Sequence, residues 1–307
     1  MIRFLIRRLL QLPVMLIAAN LFGYAFAFLI GPRQMVRNPY AFGRITIPPF
    51  LPSYFGYIQN IFHLNLGTSP NGESILTQLT QSGLASLGLL VISLSLSILI
   101  GLLIGFKSVK SNPPKVSNWV TFLSTIGMAS PSFYIGILFI TLSIFLLIYG
   151  PSSQPLLPFQ GFGWDSHLIL PVLALMVRPT VQIAHVTAGL LVEELGKQYT
   201  IAGRSFGHSE ARLRGHAFRN ILAPVAVTVS GSMRLLVAEL IIIERLFNWP
   251  GFGRLLSTTL ITTSHSPNYL NPPLFAALLT TLAALFLVAD FSTSLIVRFY
   301  DPRLRAT

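Results

Sequence analysis

Long apolar runs separated by short basic stretches set the pattern of this chain. A helix needs about 20 mostly apolar residues to cross the hydrocarbon core of a bilayer. Leu9–Ile30 meets that requirement, and so does Leu84–Phe106, with no charge inside either run. A third span is predicted within Thr121–Tyr149, almost wholly apolar from Phe133 onward. The fourth, Leu168–Leu191, holds Pro171, Arg178, Pro179, Gln182 and His185. The fifth, Leu222–Leu246, holds Arg234 and Glu239, and the sixth, Leu274–Val297, is interrupted by Asp290. The pattern predicts an all-α polytopic membrane protein with about six transmembrane helices.

Composition supports this reading. Of 307 residues, 52% are hydrophobic and 10% charged, whereas a soluble domain carries about 25% charged residues. The net charge of +12 could suit nucleic acid, but no polar basic face accompanies it, so no nucleic-acid partner is expected. Basic loops on a membrane protein account for the same excess. The chain has no cysteine, which excludes disulfides and thiolate metal sites.

The loop charges set the orientation. With the N-terminus inside, Arg3, Arg7, Arg8, Lys107, Lys110, Lys115, Lys197, Arg204, Arg212, Arg214, Arg219, Arg298, Arg303 and Arg305 fall on the inner side. Only Arg33, Arg37, Arg44, Arg245 and Arg254 fall outside. An even number of spans puts both termini on one side, and the positive-inside rule makes that side cytoplasmic. The first run is longer than the roughly 7–15 apolar residues of a signal peptide, so it is expected to stay as a span despite Ala25-Phe26-Ala27. Segment 31–83 then forms an external lobe with room for short helices, and segment 192–221 lies inside.

The inner segment carries the clearest candidate site. Ala202 and Gly203 would let another surface approach the backbone, Gly207 can end a helix in a left-handed conformation, and Ser209 can cap the next. Two short Arg-rich helices at an angle would make a docking knob for a soluble partner. An ordinary basic loop explains the same residues on spacing alone.

The stretch Tyr199–Pro224 resembles the coupling motif of binding-protein-dependent ABC importer permeases, in particular the first permease of the dipeptide, oligopeptide and nickel class. Tyr199, Ala202, Arg204, Gly207 and Pro224 fit that motif. Met1–Pro13 is similar to the basic-apolar start of that class, Glu244–Leu256 to the loop after its fifth span, and Asp301-Pro302-Arg303 to its close. Two positions depart from it: Gly203 stands where the family has Ala, and Phe206 where it has Lys. Gly31-Pro32-Arg33 also replaces a Gly-Asp-Pro element after the first span.

The resemblance implies one permease domain over residues 1–307, with a type I importer fold, in a bacterial-type cytoplasmic membrane. It implies a non-enzymatic subunit of a peptide importer, working with a second, related permease, two ATPase subunits and an extracytoplasmic binding protein. ATP would bind the partners and no cofactor this chain; no phosphate-binding Gly-x-x-x-x-Gly-Lys motif is present. Closure of the ATPases would pull the helix around Ala202–Gly207 and rock the spans between inward-open and outward-open states. An ion-driven secondary transporter is the alternative, and a membrane hydrolase finds no HExxH or GxSxG motif to support it.

Charged groups at bilayer depth are costly and face protein or water. Arg178, Arg234, Glu239 and Asp290 could line the pathway and bind peptide ends, or pair with one another to hold helices together. Glu239 is five residues from Arg234, on a different face, so its partner must come from another helix. His185 reads as a helix contact, Trp164 and Trp249 as interfacial anchors, and His208 and His216 are not at metal-binding spacing.

Overall fold

The computed structural model describes residues 2–37, 48–63, 65–70, 72–150, 155, 157–261 and 270–300. Asp301, Pro302, Arg303, Arg305 and Arg44 lie outside the described residues. In chain order the helices are α1 (Ile2–Arg37), α2 (Phe50–Phe62) and α3 (Ile75–Lys107), followed by a hairpin of β1 (Val109–Ser111) and β2 (Pro114–Val116). Then come α4 (Asn118–Ala129), α5 (Ser132–Tyr149), α6 (Ile169–Leu195), α7 (Gln198–Ser205), α8 (Glu210–Leu246), α9 (Phe252–Leu260) and α10 (Pro272–Tyr300). Six of these segments are long and apolar enough to cross a bilayer. The chain is a multi-pass membrane protein.

Several bounds differ from the hydropathy reading, for reasons of geometry. α3 begins at Ile75, well before Leu84, and α1 runs past Ile30 through Pro32 to Arg37. At 1.5 Å per residue α3 is about 50 Å long, against a hydrocarbon core of about 30 Å. Its polar first turns extend beyond the apolar layer, where hydropathy gives no signal. The third span is two helices, because Pro131 lacks the N–H that a continuing helix would use; α5 alone has the length and apolarity to cross. The basic segment 107–117 is a β-hairpin pairing Val109 with Val116 and Ser111 with Pro114.

The chain divides into two compact units, residues 1–87 with 248–288 and residues 88–247 with 289–307. In the first unit an aromatic cluster joins α1 to α2: Tyr24 stacks on Tyr57 with centroids 5.1 Å apart and meets Tyr54 edge-on at 5.1 Å. Asn20 would be costly in an apolar helix, but its Nδ2 donates to Tyr57 (3.2 Å) and Thr280 (3.0 Å), and its Oδ1 accepts from Tyr54 (3.3 Å). Ile75, Leu79, Phe252, Leu274 and Leu278 form a second cluster. Trp249, expected as an interfacial anchor, is fully buried; its Nε1 donates to the Ala85 carbonyl at 3.0 Å. A satisfied indole N–H lets the whole ring bury its apolar area.

In the second unit α6 is the centre, with Ile183, Ala188, Leu191 and Leu195 packed on Ala217, Ile221 and Val225 of α8. Gly101 and Gly105, one turn apart on α3, let the α3 and α6 backbones meet. A Cβ at Gly105 would lie 2.8 Å from the Ala184 carbonyl oxygen and 2.6 Å from Thr187 Cβ. Small residues at such a crossing are how membrane helices gain packing when lipid supplies no hydrophobic drive. Gly105→Leu is expected to destabilise the protein by about 1–3 kcal/mol, read as a lower midpoint of thermal unfolding in detergent. A midpoint equal to wild type would show that the helices are not held at this crossing.

Candidate functional site

The segment after α6 turns sharply into α7. The hub of the turn is Glu194, a buried carboxylate near the end of α6. Its Oε1 accepts from the Tyr199 hydroxyl (2.8 Å) and from Asn220 Nδ2 (3.0 Å), and Lys197 Nζ donates to its Oε2. Asn220 also donates to the Tyr199 hydroxyl at 3.2 Å, and Thr200 Oγ1 to the Glu194 carbonyl at 3.2 Å. The hydrogen bond to Glu194 raises the pKa of the Lys197 ammonium. Tyr199 is thus a positioning residue whose hydroxyl ties α7 to α6 and α8. Glu194 and Asn220 were not legible as partners, because only the fold brings them together.

The left-handed turn expected at Gly207 is present, with φ of 79°. Ser209 caps the next helix, its Oγ accepting from Arg212 N at 3.4 Å. That helix is not short: α8 continues from Glu210 to Leu246 as 37 residues, through Pro224. Asn, Ile and Leu at 220–222 give helix-compatible residues across the join, and Pro224 costs one backbone hydrogen bond without ending the helix. Gly203 does not offer open backbone either. It is buried against Leu213 of the same chain, where a Cβ would sit 2.8 Å from Leu213 Cδ2. That atom ends a flexible side chain, so the step from Ala to Gly here is a small one.

Arg204 and Arg214 turn back onto the chain, while Arg212 and Arg219 stay exposed. Arg204 Nε donates to Glu210 Oε1 at 2.7 Å, and its Nη2 to the Ser111 carbonyl of the hairpin at 2.6 Å. Arg214 donates to the Phe106 carbonyl and lies 4.6 Å over the Phe106 ring. What α7 presents outward is therefore partly apolar: Ala202 is exposed, Ile201 is 52% exposed and Phe206 84% exposed. Tyr199→Phe is expected to loosen this knob by about 1 kcal/mol, seen as faster hydrogen exchange across Gln198–Ser205 with the exchange of α6 unchanged. Unaltered exchange in α7 would mean that the hydroxyl contacts do not hold it.

Arg178, Glu239, Arg234 and Asp290, the four charges expected at bilayer depth, form two pairs. Arg178 Nη1 on α6 donates to Glu239 Oε1 on α8 at 2.7 Å, and Ser132 Oγ at the start of α5 donates to Glu239 Oε2. Arg234 Nη1 donates to Asp290 Oδ1 on α10 at 3.0 Å. His185 is exposed on α6 and is not a buried contact within this chain. Trp164 is exposed but lies against Gly88, where a Cβ would come within 2.3 Å of its ring.

Six apolar spans, with Arg178–Glu239 and Arg234–Asp290 paired within the second unit and the short helix α7 between two spans, define a multi-pass membrane subunit. Residues 97–306 match the model of the binding-protein-dependent transport system inner membrane component family. The chain belongs to that family, whose members are transport subunits of ABC importers and not enzymes. It is 27% identical to the dipeptide transport system permease protein of Lactococcus lactis subsp. cremoris, over 89% of this chain and 86% of that one. Identity to a putative peptide transport system permease protein of Brucella abortus is 28%, over 98% of both chains. An oligopeptide transport system permease protein of Bacillus subtilis is 28% identical, over 83% of this chain and 81% of its own length.

Proposed function

We propose that this chain is one half of the membrane pathway of an ATP-driven peptide importer in a bacterial cytoplasmic membrane, with both termini in the cytoplasm. The observation that supports this most directly is the shape of the knob. α7 is pinned to α6, α8 and the hairpin from behind, through Tyr199 and Arg204, while Ile201, Ala202 and Phe206 face away from the chain. A rigid mount with an exposed apolar tip is what a docking element requires, since little ordering entropy remains to be lost on binding. The ATPases dock here, with Gly207 and Pro224 shaping the segment, and the full assembly has a second permease, two ATPases and a binding protein. The relatives' peptide cargo supports the choice of substrate class. The chain acts as a single permease domain, its 31–83 segment forming part of the outer face.

The test is to purify the tagged chain from native membranes in mild detergent and to reconstitute what copurifies. An ATPase that copurifies and hydrolyses ATP faster with binding protein and a dipeptide is the expected result. A folded chain that comes out alone and moves solute on an ion gradient would overturn the proposal.

A further inference from the structure

Two spans of the second unit are built in opposite senses. In α5 only 11% of the apolar window is buried, and its exposed residues are apolar, among them Phe133, Ile137, Leu138 and Leu142. That is the composition of a lipid-facing helix. In α6 the buried share is 56%, and the apolar residues Leu175, Ile183, Ala184, Ala188 and Leu191 are the ones turned inward. The open side of α6 carries His185, Gly189 and Glu193, with Gln182 half-buried at its edge. Spacings of three and four place them on one helical face with Arg178, along about 22 Å of helix.

Lipid cannot cover such a face, because hydrocarbon leaves an imidazole and an amide without hydrogen-bond partners. Within the chain, Gln182 Oε1 accepts from Ser232 Oγ at 3.5 Å, which is long, and its amide nitrogen is a donor that this bond does not use. Gly189 gives an independent sign. A Cβ there would meet no atom within 4 Å, so this glycine is not explained by close packing as Gly101 and Gly105 are. Its effect is to leave room. The polar lane ends at Glu193, beside the Glu194 hub of the knob.

We propose that Gln182, His185 and Gly189 of α6 form a water-filled, cargo-facing wall of the pathway, with His185 hydrogen-bonding the backbone amides of the passing peptide. The proposal rests on the peptide-import reading above. A neutral imidazole offers one donor and one acceptor, which suits the N–H and C=O common to all peptides. It therefore contacts cargo without selecting side chains.

The absence of cysteine from the chain makes the test direct. Single cysteines at Gln182, His185 and Gly189, and at the α5 positions Leu138 and Leu142, are placed in the complete transporter and treated with a membrane-impermeant methanethiosulfonate. The reagent needs a water-exposed thiolate. Labelling of His185→Cys and Gly189→Cys at least about tenfold faster than of the α5 controls is expected, because ionised thiol is scarce in lipid. Equal rates would overturn the lane and place this face against another protein chain. For the contact itself, His185→Ala is expected to raise the KM for uptake of a dipeptide about tenfold, with the yield of assembled transporter equal to wild type and partial rescue in His185→Gln. A wild-type KM in His185→Ala would overturn the contact. If the lane labels but wild type takes up no dipeptide, the peptide reading fails and the water-filled lane stands.

Discussion

Replacing Glu239 with Ala is expected to cost about 3 kcal/mol of stability, and more than replacing Arg178 with Met. Removing one member of a buried ion pair leaves the other charged and uncompensated, a loss of about 3–5 kcal/mol. The lower end applies because the Arg178 side chain is 32% exposed. The two single variants are not equivalent. A guanidinium left alone cannot shed its proton, so Glu239→Ala strands a full positive charge at bilayer depth. A carboxylate left alone keeps the hydrogen bond from Ser132. Arg178→Met is therefore expected to cost about 1–2 kcal/mol. The double variant Arg178→Met with Glu239→Leu should recover most of the loss, because neither charge then needs a partner. Denaturant or thermal unfolding of the three variants in one detergent decides the matter. Equal losses in both single variants, or a double variant as weak as their sum, would mean that the pair does not act as a unit.

Phe206→Asp is expected to abolish coupled transport while leaving the subunit folded. Phe206 is 84% exposed, just past α7, so its removal takes nothing from the core. Aromatic anchors at the centre of an interface are typical hot spots, with about 2 kcal/mol or more lost on truncation, or roughly a thirtyfold weaker association. An added carboxylate in the docking groove makes the loss larger still. The measurement pairs ATPase copurification with the unfolding midpoint of the isolated chain. Loss of the ATPase with an unchanged midpoint is the expected pair of results; retention of the ATPase would move the docking surface away from the α7 tip. The same position has Lys in the family pattern, so Phe206→Lys is expected to bind an ATPase better than Phe206→Asp does.

Much of this architecture is legible in the order of apolar and polar residues. Six spans follow from hydropathy alone, because bilayer thickness dictates a minimum length. Gly207 and Ser209 announce their turn and cap through local chemistry that needs no tertiary partner. The places where sequence reading falls short are those where a residue's role is set by another residue far away in the chain. Trp249 looks like an interfacial anchor until the Ala85 carbonyl, 164 positions distant, accepts its N–H. Gly203 looks like open backbone until Leu213 covers it. Arg204 and Arg214 look like outward charges until Ser111 and Phe106 supply carbonyls to hold them. The pairing of Arg178 with Glu239 has the same origin: sequence could say that Glu239 needs a partner from another helix, but not which one.

The continuity of α8 has a mechanical consequence. From Glu210 beside the knob to Leu246 the helix is a rod about 55 Å long. A rod of that length pivoting by about 10° about its middle swings each end by about 5 Å, so a modest tug at one end becomes a displacement wide enough to admit or exclude a small solute at the other. The stroke is delivered in full only if the rod does not flex. Pro224 is the one place inside α8 where a backbone hydrogen bond is missing by chemistry, which makes it the compliant joint of the lever. If force enters at α7, as proposed above, stiffness on either side of that joint sets how much of a pull at Glu210 reaches Leu246.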